Sequence, residues 1–435
     1  MNITDFDVLG FYEPGFFHLK VNTDHELVDL NQLANDPETA PYFSTFFHEY
    51  IHFLQDITTS SGLVKTIHLI DVLKEYIYEV RNDGKAEFKT PLTLSNPSNM
   101  DANNQLQSIY RGDVKPVSYI KYSHYDQEIE IVADKDGQVF NVTRYRVSYH
   151  LADGRPGSFY FGSACIKEFV AHALQSKYAP STIHADIPYN VAALIVEKEF
   201  PELADDNMMI TALCDASMLA LHPAQMFFEL IIKMNSRQFI PKDAMEIYNF
   251  MHDNFTFDAP VGKINLDELI DFQVTMAIDQ LQNVLQSEIF EPNLRWVNHL
   301  LFEAYTLRKE IPDFMTRLVE CEGKLSPFFY SIFHRIGSPF FTNQQGKGGF
   351  IPPKTLDATG IQPFQLLVFR EIIKVFSGQR QCKMYEFCRT HSEKDITNEK
   401  CLTSPWERGM EDELCPFGQF WKTWGLNGET PVSQL

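Results

Sequence analysis

From residue 41 to about residue 80 the apolar positions recur at intervals of three and four, as in Phe43, Phe46, Phe47, Tyr50, Ile51, Leu54 and Ile57. That spacing follows the period of an α-helix. Ser60, Ser61 and Gly62 punctuate the run and predict two helices instead of one. Ahead of it, residues 15–22 read as a strand, and residues 90–110, rich in Pro, Asn and Ser, read as a long loop. Between 115 and 162 the period changes to two. Four alternating stretches with Asp-Gly turns between them (117–122, 128–132, 139–149 and 158–161) predict a β-meander of about four strands. After Gly162 the helical period returns, over 163–178, 188–199, 207–234, 241–255, 265–290, 293–321 and 363–377. A Gly/Pro-rich stretch at 337–353 reads as a loop interrupting this run.

The pattern predicts an α+β, predominantly helical fold with a small N-terminal sheet and β-meander and a large helical C-terminal part. It divides the chain into a core at 1–180 with the meander (115–162) inserted, a helical region at 181–377 completing a cleft, and an irregular Cys/Trp-rich tail at 378–435. Hydrophobic residues make up 44% and charged residues 22%, which excludes wholesale disorder. Against 37 Lys and Arg stand 58 Asp and Glu, and the net charge of −21 repels a phosphate backbone, so no nucleic-acid partner is expected. The N-terminus lacks a basic-then-apolar leader pattern, and the most apolar stretch, 208–234, is broken by Asp215, His222, Pro223 and Glu229. A cytoplasmic protein without a membrane segment is expected, its seven cysteines serving as thiols or metal ligands.

His48-Glu49-Tyr50-Ile51-His52 has the form H-E-x-x-H. Thr45, His48, His52, Gln55 and Thr59 make one polar row on a helix that is otherwise apolar. Burying such a row costs free energy unless a partner compensates, and a metal ion supplies that compensation. Residues four apart can bring two imidazole nitrogens to one Zn²⁺ at about 2.0–2.1 Å, while Glu49, rotated off the row, faces a water instead. A catalytic zinc needs a third protein ligand. Gln55 and Thr58 stand where the H-E-x-x-H-x-x-G-x-x-H pattern needs Gly and His, so that ligand comes from elsewhere. Asp71, Glu75 and Glu79 on the next helix are candidates, but charges such as Lys74 and Arg81 mark a partly solvated face. Glu168 is the stronger one, because it opens an apolar helix directly after the meander, with small Ala171 allowing close approach and His172 four residues on to steady it. On the predicted 207–234 helix Asp215 and His222, seven apart, share a face.

With these two segments the chain resembles the gluzincin branch of the zincin metallopeptidases, in which H-E-x-x-H is completed by a Glu within E-x-x-[AS]-D on a later helix. Glu168-Phe-Val-Ala-His172 matches the second motif with His in place of Asp. The resemblance covers roughly the first 180 residues. It implies a zincin-like core and a zinc-dependent metallopeptidase acting on a peptide or protein substrate. His48, His52 and Glu168 would be the ligands and Glu49 the general base. His172 would be an outer partner, with an oxyanion donor drawn from Tyr189, His184 and His222. Two other readings stand beside it, a non-hydrolytic regulatory or binding protein that keeps the metal-bearing core, and a metal-dependent amidohydrolase acting on a small molecule. In the tail, Cys382, Cys388, Cys401 and Cys415 stand at spacings x5, x12 and x13 without a C-x2-C pair. They admit a second, structural zinc, or free thiols packed by Trp406, Phe417, Trp421 and Trp424.

Overall fold

The computed structural model describes residues 9–27, 39–84, 86–95, 98–113, 115–134, 136–180, 184–259, 262–391 and 395–433. Its architecture is α+β and mostly helical, with several small sheets. At the centre lies helix α1 (Ala40–Thr58), in which every residue from Phe43 to Thr58 is buried. Its Phe, Tyr, Ile and Leu positions cover more than one face, so neighbours pack around it on all sides. The predicted break follows. Thr59 is extended, and its side chain caps helix α2 (Ser60–Asp83) by accepting from the Gly62 N–H. A Cβ on Gly62 would stand 2.3 Å from the Asp56 backbone, so the turn requires glycine there.

The N-terminal strands β1 (Gly10–Glu13) and β2 (His18–Val21) form an antiparallel hairpin. Two short strands from the predicted 337–353 loop, Phe340–Thr342 and Gly348–Gly349, extend this sheet, the first parallel to β2. An apolar run this short among Gly and Pro carries no alternation to mark it as strand. The predicted loop at 90–110 also differs, because Ser98–Arg111 is a helix. Asn103, Asn104 and Ser108 face outward, while Ala102 and Ile109 are buried.

The meander has three strands, not four: β3 (Ile120–Ala133), β4 (Val139–Leu151) and β5 (Pro156–Phe161). The two stretches predicted before residue 133 belong to one strand, irregular in register between Tyr122 and His124. Directly after it comes helix α3 (Ser163–Tyr178), as the periodicity predicts. The single helix expected over 207–234 is two, α4 (Asn207–Ser217) and α5 (Pro223–Ser236). The first run ends at Ser217, and Pro223 at the first position of α5, with His222 as its cap, starts a new helix instead of continuing the old one. The helix expected over 293–321 is α6 (Glu291–Glu310), and it stops short of Pro312.

One continuous hydrophobic core runs from Phe17 through Trp296 to Leu426. The tail is more ordered than its sequence suggests, with helices at Tyr385–His391, Lys400–Thr403 and Pro416–Thr423. Its last strand, Thr430–Ser433, pairs in parallel with Glu87–Thr90. Among the described residues no helix is long and apolar enough to cross a membrane.

Candidate metal centre

Helices α1 and α3 pack together, and their contact carries the site. His48 Nε2 lies 3.2 Å from His52 Nε2 and 3.3 Å from Glu168 Oε2. His52 Nε2 lies 3.4 Å from the same carboxylate oxygen. The three donor atoms form a nearly equilateral triangle. A tetrahedral zinc about 2.0–2.1 Å from each ligand spans ligand-to-ligand edges of about 3.3–3.4 Å, so the triangle suits a single ion.

Each imidazole is oriented by a glutamine. His48 Nδ1 lies 3.0 Å from Gln175 Oε1, and His52 Nδ1 lies 2.9 Å from Gln55 Oε1. The amides cannot turn the other way without loss. Gln55 Nε2 donates to the Lys167 carbonyl at 3.2 Å, and Gln175 Nε2 donates to the Ser44 carbonyl at 3.2 Å. Both histidines therefore donate from Nδ1 and direct bare Nε2 lone pairs at one point. A buried ion pair, Lys167 Nζ to Asp56 Oδ1 at 2.5 Å, clamps α3 to α1 beside the ligands.

The two carboxylates are pushed in opposite directions. Burial opposes ionisation of Glu168, but with no metal bound the charge and Nε2–H hydrogen bonds of protonated His52 and His48 hold its carboxyl well below the ordinary range, and a bound cation would take over that role. Glu49 is raised to about 7, chiefly by burial, with the Glu168 charge adding to the rise. His48, Lys167 and the Tyr12 backbone N–H work against that rise. Strand β1 thus lies alongside the site, and a Cβ on Gly10 would stand 2.7 Å from Thr45 and 3.3 Å from the Glu49 side chain. The His48 and His52 side chains are 9% and 10% exposed, against 28% for Glu168. The triangle therefore opens to solvent on the Glu168 side, which leaves an approach for a fourth ligand.

Next to His48 stands a wall of three rings. Tyr189 and His184 stack with centroids 4.4 Å apart, and His172 meets His184 edge-on at 4.8 Å. The His48 ring lies 6.1 Å from His184 and 6.3 Å from Tyr189. The meander positions this wall. Ile187 bridges to Val117, and the Asp186 carboxylate accepts the Ile120 N–H. Burial, with the nearby charges of Glu168 and Glu49, raises the Tyr189 hydroxyl above its ordinary range and keeps it protonated.

The structure thus brings together His48, Glu49, His52, Glu168, Tyr189 and His184. His172 is close but does not serve as the partner expected for Glu168. Among the described residues it hydrogen-bonds Ser176, and its ring turns to His184 and Tyr189. His222 is elsewhere. It caps α5 through Nδ1, and its Nε2 donates to the Thr143 carbonyl at 2.7 Å, so the fold uses both ring nitrogens. The break before α5 also removes the shared face expected for Asp215 and His222, and Asp215 instead pairs with Arg308. Glu79 binds Ser95, and Asp71, Glu75 and Glu79 lie outside the set of donors that converge within 4.8 Å. Sequence reading missed the orienting role of Gln175, the Asp56–Lys167 clamp and the Tyr12 N–H. Of these, only Gln175 left a trace, as a polar position on a largely apolar helix. Cys382, Cys388, Cys401 and Cys415 gather around a separate cavity in the tail. Compared with known proteins, the chain matches no family model, no curated protein and no solved structure.

Proposed function

We propose that the chain is a zinc-dependent metallopeptidase with a zincin-like core, acting on a peptide or protein substrate. The observation that carries this reading is the triangle of His48 Nε2, His52 Nε2 and Glu168 Oε2, with buried Glu49 beside it. The donor set, two neutral imidazoles and a carboxylate at single-ion spacing, fits zinc. When bound, the zinc supplies Lewis-acid activation of a water and of the scissile carbonyl.

The protein's own part falls to named groups. Glu49, whose carboxyl sits near 7, accepts the proton of the attacking water and passes it to the departing amine. A base with its pKa near the working pH suits both halves of that transfer. Tyr189, held protonated beside His48, donates its O–H to the oxygen that gains charge as the carbonyl is attacked. Gln55 and Gln175 keep the imidazoles in register through the cycle. An intact general base favours hydrolysis over a purely binding role. The reading carries a cytoplasmic setting with it, in keeping with seven unpaired cysteines.

A peptide-library cleavage assay with wild-type and Glu49→Gln protein at equal zinc loading tests the proposal. The wild type should cleave, and Glu49→Gln should lose roughly 10²–10⁴-fold in rate while keeping fold and metal. A Glu49→Gln protein as active as wild type would remove Glu49 from the mechanism.

A further inference from the structure

The tail holds a second cluster of ligating side chains that the hydrolytic reading does not use. Cys382 and Cys388, six residues apart, together with Cys401 and Cys415 from farther along the chain, all line one cavity. The rest of its wall is largely apolar, including Met384, Ile396 and Phe417. No two of the four are joined by a disulfide. A backbone hydrogen bond from Cys382 N–H to the Cys401 carbonyl, 2.8 Å long, ties two parts of the chain together.

The sulfurs are supplied with donors. Arg408 Nη1 lies 3.5 Å from Cys401 Sγ, and the Gly418 N–H lies 3.4 Å from Cys415 Sγ. Part of this serves the fold, because Cys415 is the N-cap of the helix Pro416–Thr423 and its sulfur accepts the Gly418 N–H in that role. Arg408 is itself only 2% exposed, and beyond Cys401 it binds the Ile396 carbonyl and Glu411. A buried guanidinium beside four sulfurs suits a centre of net negative charge.

Among the described residues the set of ligand atoms converging within 4.8 Å is that of His48, His52 and Glu168. The four sulfurs are not in that set, so as their side chains stand no three of them lie within 4.8 Å of one another.

We propose that Cys382, Cys388, Cys401 and Cys415 are the four thiolate ligands of a metal centre that staples the tail. Each ligating thiol gives up its proton on binding, and the metal is an iron–sulfur cluster or a single zinc ion. The centre is independent of the His48–His52–Glu168 site.

The test is metal and acid-labile sulfide analysis of full-length protein, purified reduced under anaerobic conditions. It is run on wild type, His48→Ala, Cys388→Ser and Cys401→Ser. The proposal expects about four irons and four sulfides with a broad visible absorption band, or one colourless zinc beyond that of the histidine site. Either load should survive His48→Ala and be lost in both cysteine variants. Cys388 is only half-buried, so its serine variant is the milder one. Wild type needs no substitution to fold, which keeps the proposal open to failure on its own. Wild-type protein that holds no tail metal, takes up neither zinc nor iron with sulfide on reconstitution, and shows all seven cysteines as ordinary thiols on unfolding would overturn it.

Discussion

Two buried polar clusters flank the central helix, and they differ in how their charge is balanced. Asp215 accepts Arg308 Nη1 at 2.6 Å, Arg308 Nη2 at 3.2 Å and the Tyr248 hydroxyl at 2.6 Å. Arg308 also donates to the Thr58 carbonyl and hydroxyl at the end of α1 and to the Pro312 carbonyl. Asp215 is fully buried and Arg308 nearly so, and the cluster closes on itself. The His48–His52–Glu168 cluster instead aims three electron-rich atoms at one point and opens to solvent. Burial of polar groups is common to both. On the metal reading proposed above, convergence on one solvent-facing point is what separates a ligand set from a cross-brace.

The comparison can be broken first at the brace. Arg308→Met strands the Asp215 carboxylate in the core and should destabilise the fold by about 3–5 kcal/mol, read as a lower denaturant midpoint. Metal per folded molecule should not change. If Asp215→Leu is added, much of the stability should return, because the uncompensated charge is gone. A brace that also fed the metal site would lose metal in the single variant, and the distinction between the clusters would fall.

His222 gives a second handle, because it is another buried polar group satisfied wholly by the fold. Burial holds its pKa down at about 4, against about 6.5 in an unfolded chain. Between those values the unfolded state binds the proton and the folded state does not. Stability is therefore full above about pH 6.5 and is lost as pH falls towards 4, by about 3 kcal/mol over the window. Denaturant midpoints at pH 7 and pH 5 should show the fall, and His222→Asn should remove His222's share while metal content stays constant. An unchanged slope in His222→Asn would show that His222 is not buried neutral.

A smaller effect probes the orienting shell. Gln175→Ala frees His48 Nδ1 without touching a ligand, and should weaken zinc affinity roughly 10–100-fold in a competitive chelator titration. Equal affinity would mean that α1 alone sets the imidazoles.

The half of the site that lies on one helix was legible in sequence, because residues four apart face the same way whatever surrounds them. Glu168 was legible as a type, a carboxylate opening an apolar helix, but only tertiary packing decides that it meets His48 across 120 positions. Gln175 reaches His48 over 127 positions, and no local period announces such a contact. The Asp215–Arg308 brace was hidden for the same reason. Local composition also misled in places. Asn and Ser masked the helix Ser98–Arg111, whose buried residues are few. The strand Phe340–Thr342 is defined by its partner β2 and not by any alternation of its own. In the tail, the cysteine spacings matched no metal motif, yet the chain folds them around one cavity.

The claim that matters most is that His48, His52 and Glu168 hold one metal ion. Its most direct test is metal stoichiometry by mass spectrometry on folded wild type, His48→Ala and Glu168→Ala, with Arg308→Met as the control from the closed cluster. The account predicts a loss of one equivalent in each ligand variant and none in the control. Ligand variants that keep the full wild-type metal content would contradict it.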